Sequence, residues 1–296
     1  MTAKLYLIDA PIYVFRGYFS IPDTFKDSGG EAVNAVYGYT QFLLDLLLQT
    51  RPSAVSVAFD ESLTTCFRND IYPEYKANRD LPDENLKYQL QCCQRITELL
   101  GLHQLCLKNY EADDIIGTLL KLLGNDHQVV IVSRDKDLGQ LLRAEDLMWD
   151  FAENQYLGPA EVQEKFGVAP HQIADYLALA GDSVDNIPGA PGIGAKTAAG
   201  LLQHFGSLEN IFDNLIKIPT TGLRGAKRIQ TTLTEHEDLV RTFQRITQIF
   251  CDIPIKVTPA DLKVTPDMQG LETFCDDMRF GPGVRRKIDQ LAETLS

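Results

Sequence analysis

Nine carboxylates fall into tight groups along this chain: Asp9 and Asp60 singly, Glu111, Asp113 and Asp114 in YEADD, Asp135 and Asp137 in SRDKD, and Asp182 and Asp185 in GDSVDNIPG. Like charges crowded together repel and raise one another's pKa, so such a set calls for a cation. Oxygen-only ligands select hard ions such as Mg²⁺, with Mn²⁺ as a substitute. Two ions about 4 Å apart hold the attacking and leaving oxygens of a phosphodiester displacement. Any one of these residues alone reads as a solvated helix cap or surface charge. Five groups, three of them at the ends of apolar strands or helices, weaken that reading.

The elements that must position these groups are legible in outline. Apolar segments 5–8 and 54–59 run directly into Asp9 and Asp60, and 129–132 leads to Asp135. Helical stretches are expected at 32–48 and 86–100, with an acidic-headed helix over 111–123. Strands alternating with helices imply an α/β domain around a mainly parallel sheet, whose ligand site lies beyond the carboxyl ends of the strands. Glu111 and Asp114, three apart on a helix, share a face, with Asp113 in reach of a neighbouring ion. If SRDKD continues as extended chain, Asp135 and Asp137 face the site and Lys136 faces away.

Two basic features accompany the carboxylates. Residues 61–83, ESLTTCFRNDIYPEYKANRDLPD, carry Arg68, Lys76 and Arg79 among Phe67, Tyr72 and Tyr75, and cations interleaved with aromatics favour a nucleic-acid contact over an idle loop. Further on, HQIADYLALAG and AKTAAGLLQHFG read as two helices flanking a Gly- and Pro-rich turn. The PGIGAKT turn lacks the Gly-Lys pair of a Walker loop, and Thr197 stands where a dinucleotide fingerprint needs Gly or Ala. What remains is a hairpin in which Gly192, Gly194, Lys196 and Thr197 present backbone N–H groups and a cation to a DNA phosphate.

Composition bounds the rest. The 296 residues carry 41 acidic and 28 basic side chains, a formal charge of −13 that by simple counting would repel nucleic acid. The length suits one large or two ordinary domains, and 44% hydrophobic residues argue against disorder. Six cysteines contain no C-x-x-C pair or zinc spacing with the histidines and are read as reduced thiols. No apolar run is long enough to span a membrane, and MTAKLYLIDA lacks the apolar core of a secretory signal, so a cytoplasmic chain without membrane contact is expected.

In order and chemistry, LIDAPIYVFRGYF, FDESLTTCFRNDIYPEYKANR, NYEADDIIGTL, VSRDKDLGQLL and ALAGDSVDNIPGAPGIGAKTAAGLLQHFGSLE resemble the 5′-nucleases. These are the bacterial 5′-3′ exonucleases, the N-terminal nuclease domain of DNA polymerase I and the flap endonucleases. Beyond Ile211 little is comparable. The resemblance implies a PIN-like α/β core over residues 1–167, including an arch-like segment at 61–90. It also implies a helix-three-turn-helix DNA-binding module with a C-terminal helical region over 168–296, binding K⁺ at its hairpin. Carried over by position, Asp9, Asp60, Glu111 and Asp113 are expected at a first metal site, and Asp135, Asp137 and Asp182 at a second. Asp113 is shared, and Asp114 and Asp185 lie close by. Lys76 and Arg79 match residues that neutralise the scissile phosphate, Tyr75 an aromatic on which a terminal base stacks, and Arg16 and Tyr18 a substrate-contacting segment.

The expected activity is Mg²⁺-dependent 5′-3′ exonuclease and 5′-flap endonuclease cleavage of DNA with flaps, nicks or free 5′ ends, in replication or repair. A monomer is expected, free-standing because the length leaves no room for a polymerase, with a DNA polymerase as candidate partner. Three rivals differ in kind: a non-catalytic binder of branched DNA, a 5′-nuclease directed at RNA, and a small-molecule phosphatase for which the basic segment and hairpin have no use. Removing the nine clustered carboxylates from the charge of −13 leaves −4, and two Mg²⁺ bring the cluster from −9 to −5. The acidity is then largely metal-site machinery.

Overall fold

The computed structural model describes residues 3–62, 65–79 and 81–295. Among these, six strands form one sheet in the order β3-β2-β1-β4-β5-β6. The strands are β1 (Lys4–Asp9), β2 (Ala54–Asp60), β3 (His103–Leu107), β4 (Gln128–Val132), β5 (Leu147–Asp150) and β6 (Gln155–Leu157). All pairs are parallel except β5 with β6. The order reverses at β1, and β4 pairs on its other side, so the ends of β1, β2 and β4 open onto the crevice where α/β sheets bind ligands.

Both faces of the sheet are covered, as an all-parallel centre requires. Leu5 and Leu7 of β1 point to one side and Tyr6 and Ile8 to the other, the period-two alternation of a strand. On the Tyr6 side pack α1 (Ala10–Ser20), α2 (Asn34–Thr50) and, beyond the short α3 (Phe67–Ile71), α4 (Glu84–Leu99). On the Leu5 side lie α5 (Ala112–Leu123) and a helical module. After α6 (Pro159–Phe166), that module runs through α7 (Ile173–Ala180), α8 (Ala195–Phe205), α9 (Leu208–Asp213), α10 (Ala226–Glu235) and α11 (Glu237–Thr247).

The last stretch departs from the expected grouping of 168–296. After α11 the chain crosses to the opposite face, where the Leu99 and Gly101 carbonyls accept from the Asp267 and Thr265 N–H groups. Gly101 is required there: it has φ of 67°, and a Cβ would fall 2.0 Å from the Thr265 carbonyl oxygen. The chain then ends in α12 (Met268–Asp277) and α13 (Pro282–Leu295), whose Leu271, Phe274, Val284 and Ile288 join the core beneath α2 and α4.

The three apolar segments and the three long helices form where the sequence predicts them. β3, β5 and β6 carry no such signal, because β3 is half-exposed and the other two are short. Among its described residues the arch-like segment is helical only at α3 and from Glu84, and Leu63, Thr64 and Asp80 within it lie outside the described residues. No helix among the described residues is long and apolar enough to cross a membrane. All six cysteines are free thiols.

Candidate active site at the carboxyl edge of the sheet

Asp9 ends β1 in N-cap position for α1, yet its carboxylate leaves the helix uncapped and accepts the Ser133 hydroxyl at 2.7 Å. The same Ser133 Oγ accepts the Asp135 N–H at 3.0 Å, and Asp135 Oδ1 accepts the Asp137 N–H at 3.0 Å. One hydroxyl therefore ties the ends of β1 and β4. Asp60, ending β2, accepts the N–H of Ala112, the first residue of α5, at 2.7 Å. This starts α5 at the strand edge with Glu111 as its N-cap and Asp113 and Asp114 in its first turn, where the helix dipole favours anions. Asp9, Asp60, Glu111, Asp113 and Asp135 all line one cavity of about 590 Å³.

Asp182 and Asp185 reach the cluster on a closed loop after α7. Asp182 and Ile187 exchange backbone hydrogen bonds of 2.7 Å in both directions. Gly181 and Gly189 sit back to back beneath it, both at positive φ, and a Cβ on Gly189 would lie 2.3 Å from the Gly181 nitrogen. Cations then reach into the carboxylates from outside. Lys136 Nζ donates to Asp182 at 2.5 Å and lies 3.1 Å from Asp137, Arg79 donates to Asp185 at 2.7 Å, and Lys76 donates to Glu111.

Titration follows from this crowding. Burial raises the Asp9 carboxyl to about 8 and Asp137 to about 7, with the Asp135 charge adding to both. Burial and Glu111 raise Asp60 to about 6. Asp113 is pushed well above the carboxylate range by burial and then by Asp135, Asp9 and Glu111. Glu111 goes the other way: burial opposes its charge, but Lys76 and Arg68 hold it at about 2.

Several expectations change on this geometry. Asp114 is not free to take a metal. Fully buried, it accepts both terminal nitrogens of Arg68, at 2.7 and 2.8 Å, along with the backbone N–H groups of Glu111 and Phe250. Arg68 is no DNA contact either, because its remaining donors go to Glu111 and to the carbonyls of Ile246 and Gln248. Tyr75, 4% exposed, offers no face for base stacking; its hydroxyl donates to Glu111 and Asp185 at 3.0 and 3.1 Å. Lys136 does not face away, because the chain after Asp135 turns into a 3-10 helix and the two-residue alternation of a strand is lost.

Tyr18 lines the carboxylate cavity and donates its hydroxyl to Asp83 at 3.2 Å, whereas Arg16 is exposed and borders a different cavity beside Tyr13 and Phe151. Gly192, Gly194, Lys196 and Thr197 lie in the turn before α8 and its first residues, with Gly192 at φ of 74° and Lys196 exposed. Ser133 escaped the sequence reading, although its place one residue past β4 and two before Asp135 was the signal to follow.

The residues fit hard divalent cations. The donors are all carboxylate oxygens, several destabilised as anions by burial and by one another. Among the described residues no group of three or more such side chains already forms a coordination set. Lys76, Arg79 and Lys136 occupy carboxylate oxygens instead.

The family model described as the 5′-3′ exonuclease N-terminal resolvase-like domain matches residues 4–167, and the 5′-3′ exonuclease C-terminal SAM fold matches 168–269. The chain belongs to the 5′-3′ exonuclease family. It is 36% identical to the 5′-3′ exonuclease of Aquifex aeolicus over 294 residues, covering 99% of this chain and 97% of that one. It is 35% identical over 257 residues to the 5′-3′ exonuclease of Buchnera aphidicola subsp. Schizaphis graminum, covering 86% and 89%. DNA polymerase I of Pseudomonas aeruginosa is 38% identical over 257 residues, which span 86% of this chain but 28% of the polymerase. Among solved structures, the bacteriophage T5 flap endonuclease with DNA and metal ions shares the fold at a TM-score of 0.69 and 22% identity, covering 93% of this chain and 98% of that one. Flap endonuclease-1 from Methanococcus jannaschii does so at 0.65 and 17%, covering 98% and 91%. The chain is thus an enzyme of that family, with a mixed, mainly parallel sheet and a helical second module, and solved structures that share its fold bind divalent metal ions and DNA.

Proposed function

We propose that the chain hydrolyses DNA phosphodiester bonds near free 5′ ends, 5′ flaps and nicks, with two Mg²⁺ ions held by its carboxylate cluster. The observation that carries this reading is the single cavity that gathers Asp9, Asp60, Glu111, Asp113 and Asp135 at the carboxyl edge of the sheet. Asp9, Asp60, Glu111 and Asp113 would hold the first ion, and Asp113, Asp135, Asp137, Asp182 and Asp185 the second. Asp114 is left out, because Arg68 already takes both its oxygens. Bound there, the ions would supply Lewis-acid stabilisation of the phosphoryl and leaving oxygens and lower the pKa of a water.

The chain's own residues do the rest. Lys76 and Arg79 line the same cavity and neutralise charge building on the scissile phosphate, exchanging their pairs with Glu111 and Asp185 for phosphate oxygens. The Tyr75 hydroxyl, bonded to both Glu111 and Asp185, keeps those carboxylates in place during the exchange. Ser133 orients the Asp9 carboxylate and fixes the backbone at Asp135. The hairpin at Gly192 to Lys196, with K⁺ as its ion, holds the duplex.

On an end-labelled 5′-flap duplex with Mg²⁺, the wild-type chain releases a 5′-phosphorylated product, and Asp113→Ala and Asp135→Ala each lose at least about a hundredfold in kcat. Equal rates for the wild type and both variants contradict the proposal.

A further inference from the structure

Three cations reach into the carboxylates from around the cavity, and they do not come from the same place. Lys76 and Arg79 belong to the segment between β2 and α4, whereas Lys136 stands within the cluster's own chain, between Asp135 and Asp137. The 3-10 helix that begins at Lys136 carries its side chain from the end of β4 to the loop after α7. There its Nζ bridges two carboxylates, 2.5 Å from Asp182 Oδ2 and 3.1 Å from Asp137 Oδ1.

Asp182 has one oxygen to give. Its Oδ1 accepts the Val184 N–H at 2.9 Å, a bond that belongs to the closed loop, so Oδ2 is left for a ligand, and Lys136 holds it. The Asp182 side chain is 5% exposed and that of Lys136 35%, so the ammonium can move out to water while the carboxylate stays in place. The two ends of the cluster differ in this respect. Among the described residues Asp9, Asp60 and Asp113 form no ion pair, so of the four carboxylates assigned to the first ion only Glu111 is paired. In the second set Asp137, Asp182 and Asp185 are all paired.

We infer that Lys136 is a built-in competitor for the second ion: its ammonium neutralises Asp137 and Asp182 in the metal-free chain and must be displaced before a divalent cation takes their oxygens. This rests on the two-ion reading above and adds an order of filling to it. The first site loads at low ion concentration and the second only at higher, because repulsion excludes the ammonium and a divalent ion from the same two oxygens. Phosphate oxygens entering beside the ion offset that displacement, so DNA and the second ion tighten each other's binding.

The test titrates Mn²⁺ into metal-free wild type, Lys136→Met, Lys136→Gln, Lys136→Arg and Lys121→Met, the last breaking an exposed ion pair with Asp252 elsewhere. Bound ions are counted by electron paramagnetic resonance at about pH 8, where protons compete little for the carboxylates. Expected are two ions of unequal affinity in the wild type and, in Lys136→Met and Lys136→Gln, a Kd for the weaker ion lowered about tenfold with the tighter one unchanged. Lys136→Arg keeps the charge and the weak second site, and Lys121→Met matches the wild type. A Kd for the weaker ion that is unchanged or raised in both Lys136→Met and Lys136→Gln overturns the inference and leaves the two-ion reading standing. A single ion in the wild type at saturation refutes that reading and the inference with it.

Discussion

Arg68 spends every N–H donor inside the protein. It joins α3 to the start of α5 and to the carbonyls of Ile246 and Gln248, where the helical module ends. Arg68→Ala leaves Asp114 and Glu111 buried without that cation, a change expected to cost about 3–5 kcal/mol in denaturant unfolding. Arg68→Met paired with Asp114→Leu removes both charges and costs much less. A loss for Arg68→Ala as small as that of the double variant would contradict this role. The pair was not legible beforehand because the three-residue spacing of Glu111 and Asp114 suits a shared ligand face and a capping arrangement equally. Its partner lies 46 residues earlier in a segment that reads as basic and aromatic. Asp9, Asp60 and Asp135, by contrast, were legible because each follows an apolar strand.

At the scale of elements, three strand ends and one helix start converge carboxylates that would remain apart in an unfolded chain. The raised values at Asp9, Asp60 and Asp137, about 8, 6 and 7 against 3.8, mean that the metal-free fold binds more protons than the unfolded chain across that window. Stability then falls as pH rises. Glu111, held at about 2, contributes the opposite dependence only below its ordinary value of 4.5. Without divalent ions the melting temperature is expected to drop between pH 5 and pH 8, and saturating Mg²⁺ is expected to flatten that drop. A melting temperature that climbs over this range without metal would show that the carboxylates are not coupled as the sheet edge implies. The 3-10 turn after Asp135 shows where pattern reading fails: SRDKD alternates like a strand, but the chain curls and swings Lys136 onto Asp182.

Across the whole molecule, charge and core are both partitioned. Acidic residues collect at the sheet edge while two stretches of the helical module carry none, so a net charge of −13 does not describe either surface. The core lies on both faces of one sheet, with the last two helices returning to the face opposite the module. That return was illegible because α12 and α13 carry no motif, and their apolar residues find partners on α2 and α4, far back in sequence. On the proposed function, the carboxylates form two ion sites rather than one acidic patch. Titrating Mn²⁺ into the metal-free full chain and counting bound ions by electron paramagnetic resonance tests it most directly. Two ions per wild-type chain are predicted, and one for Asp137→Ala/Asp182→Ala with an unchanged fold by circular dichroism. A single ion in the wild type, or two ions retained after that double substitution, would contradict the account.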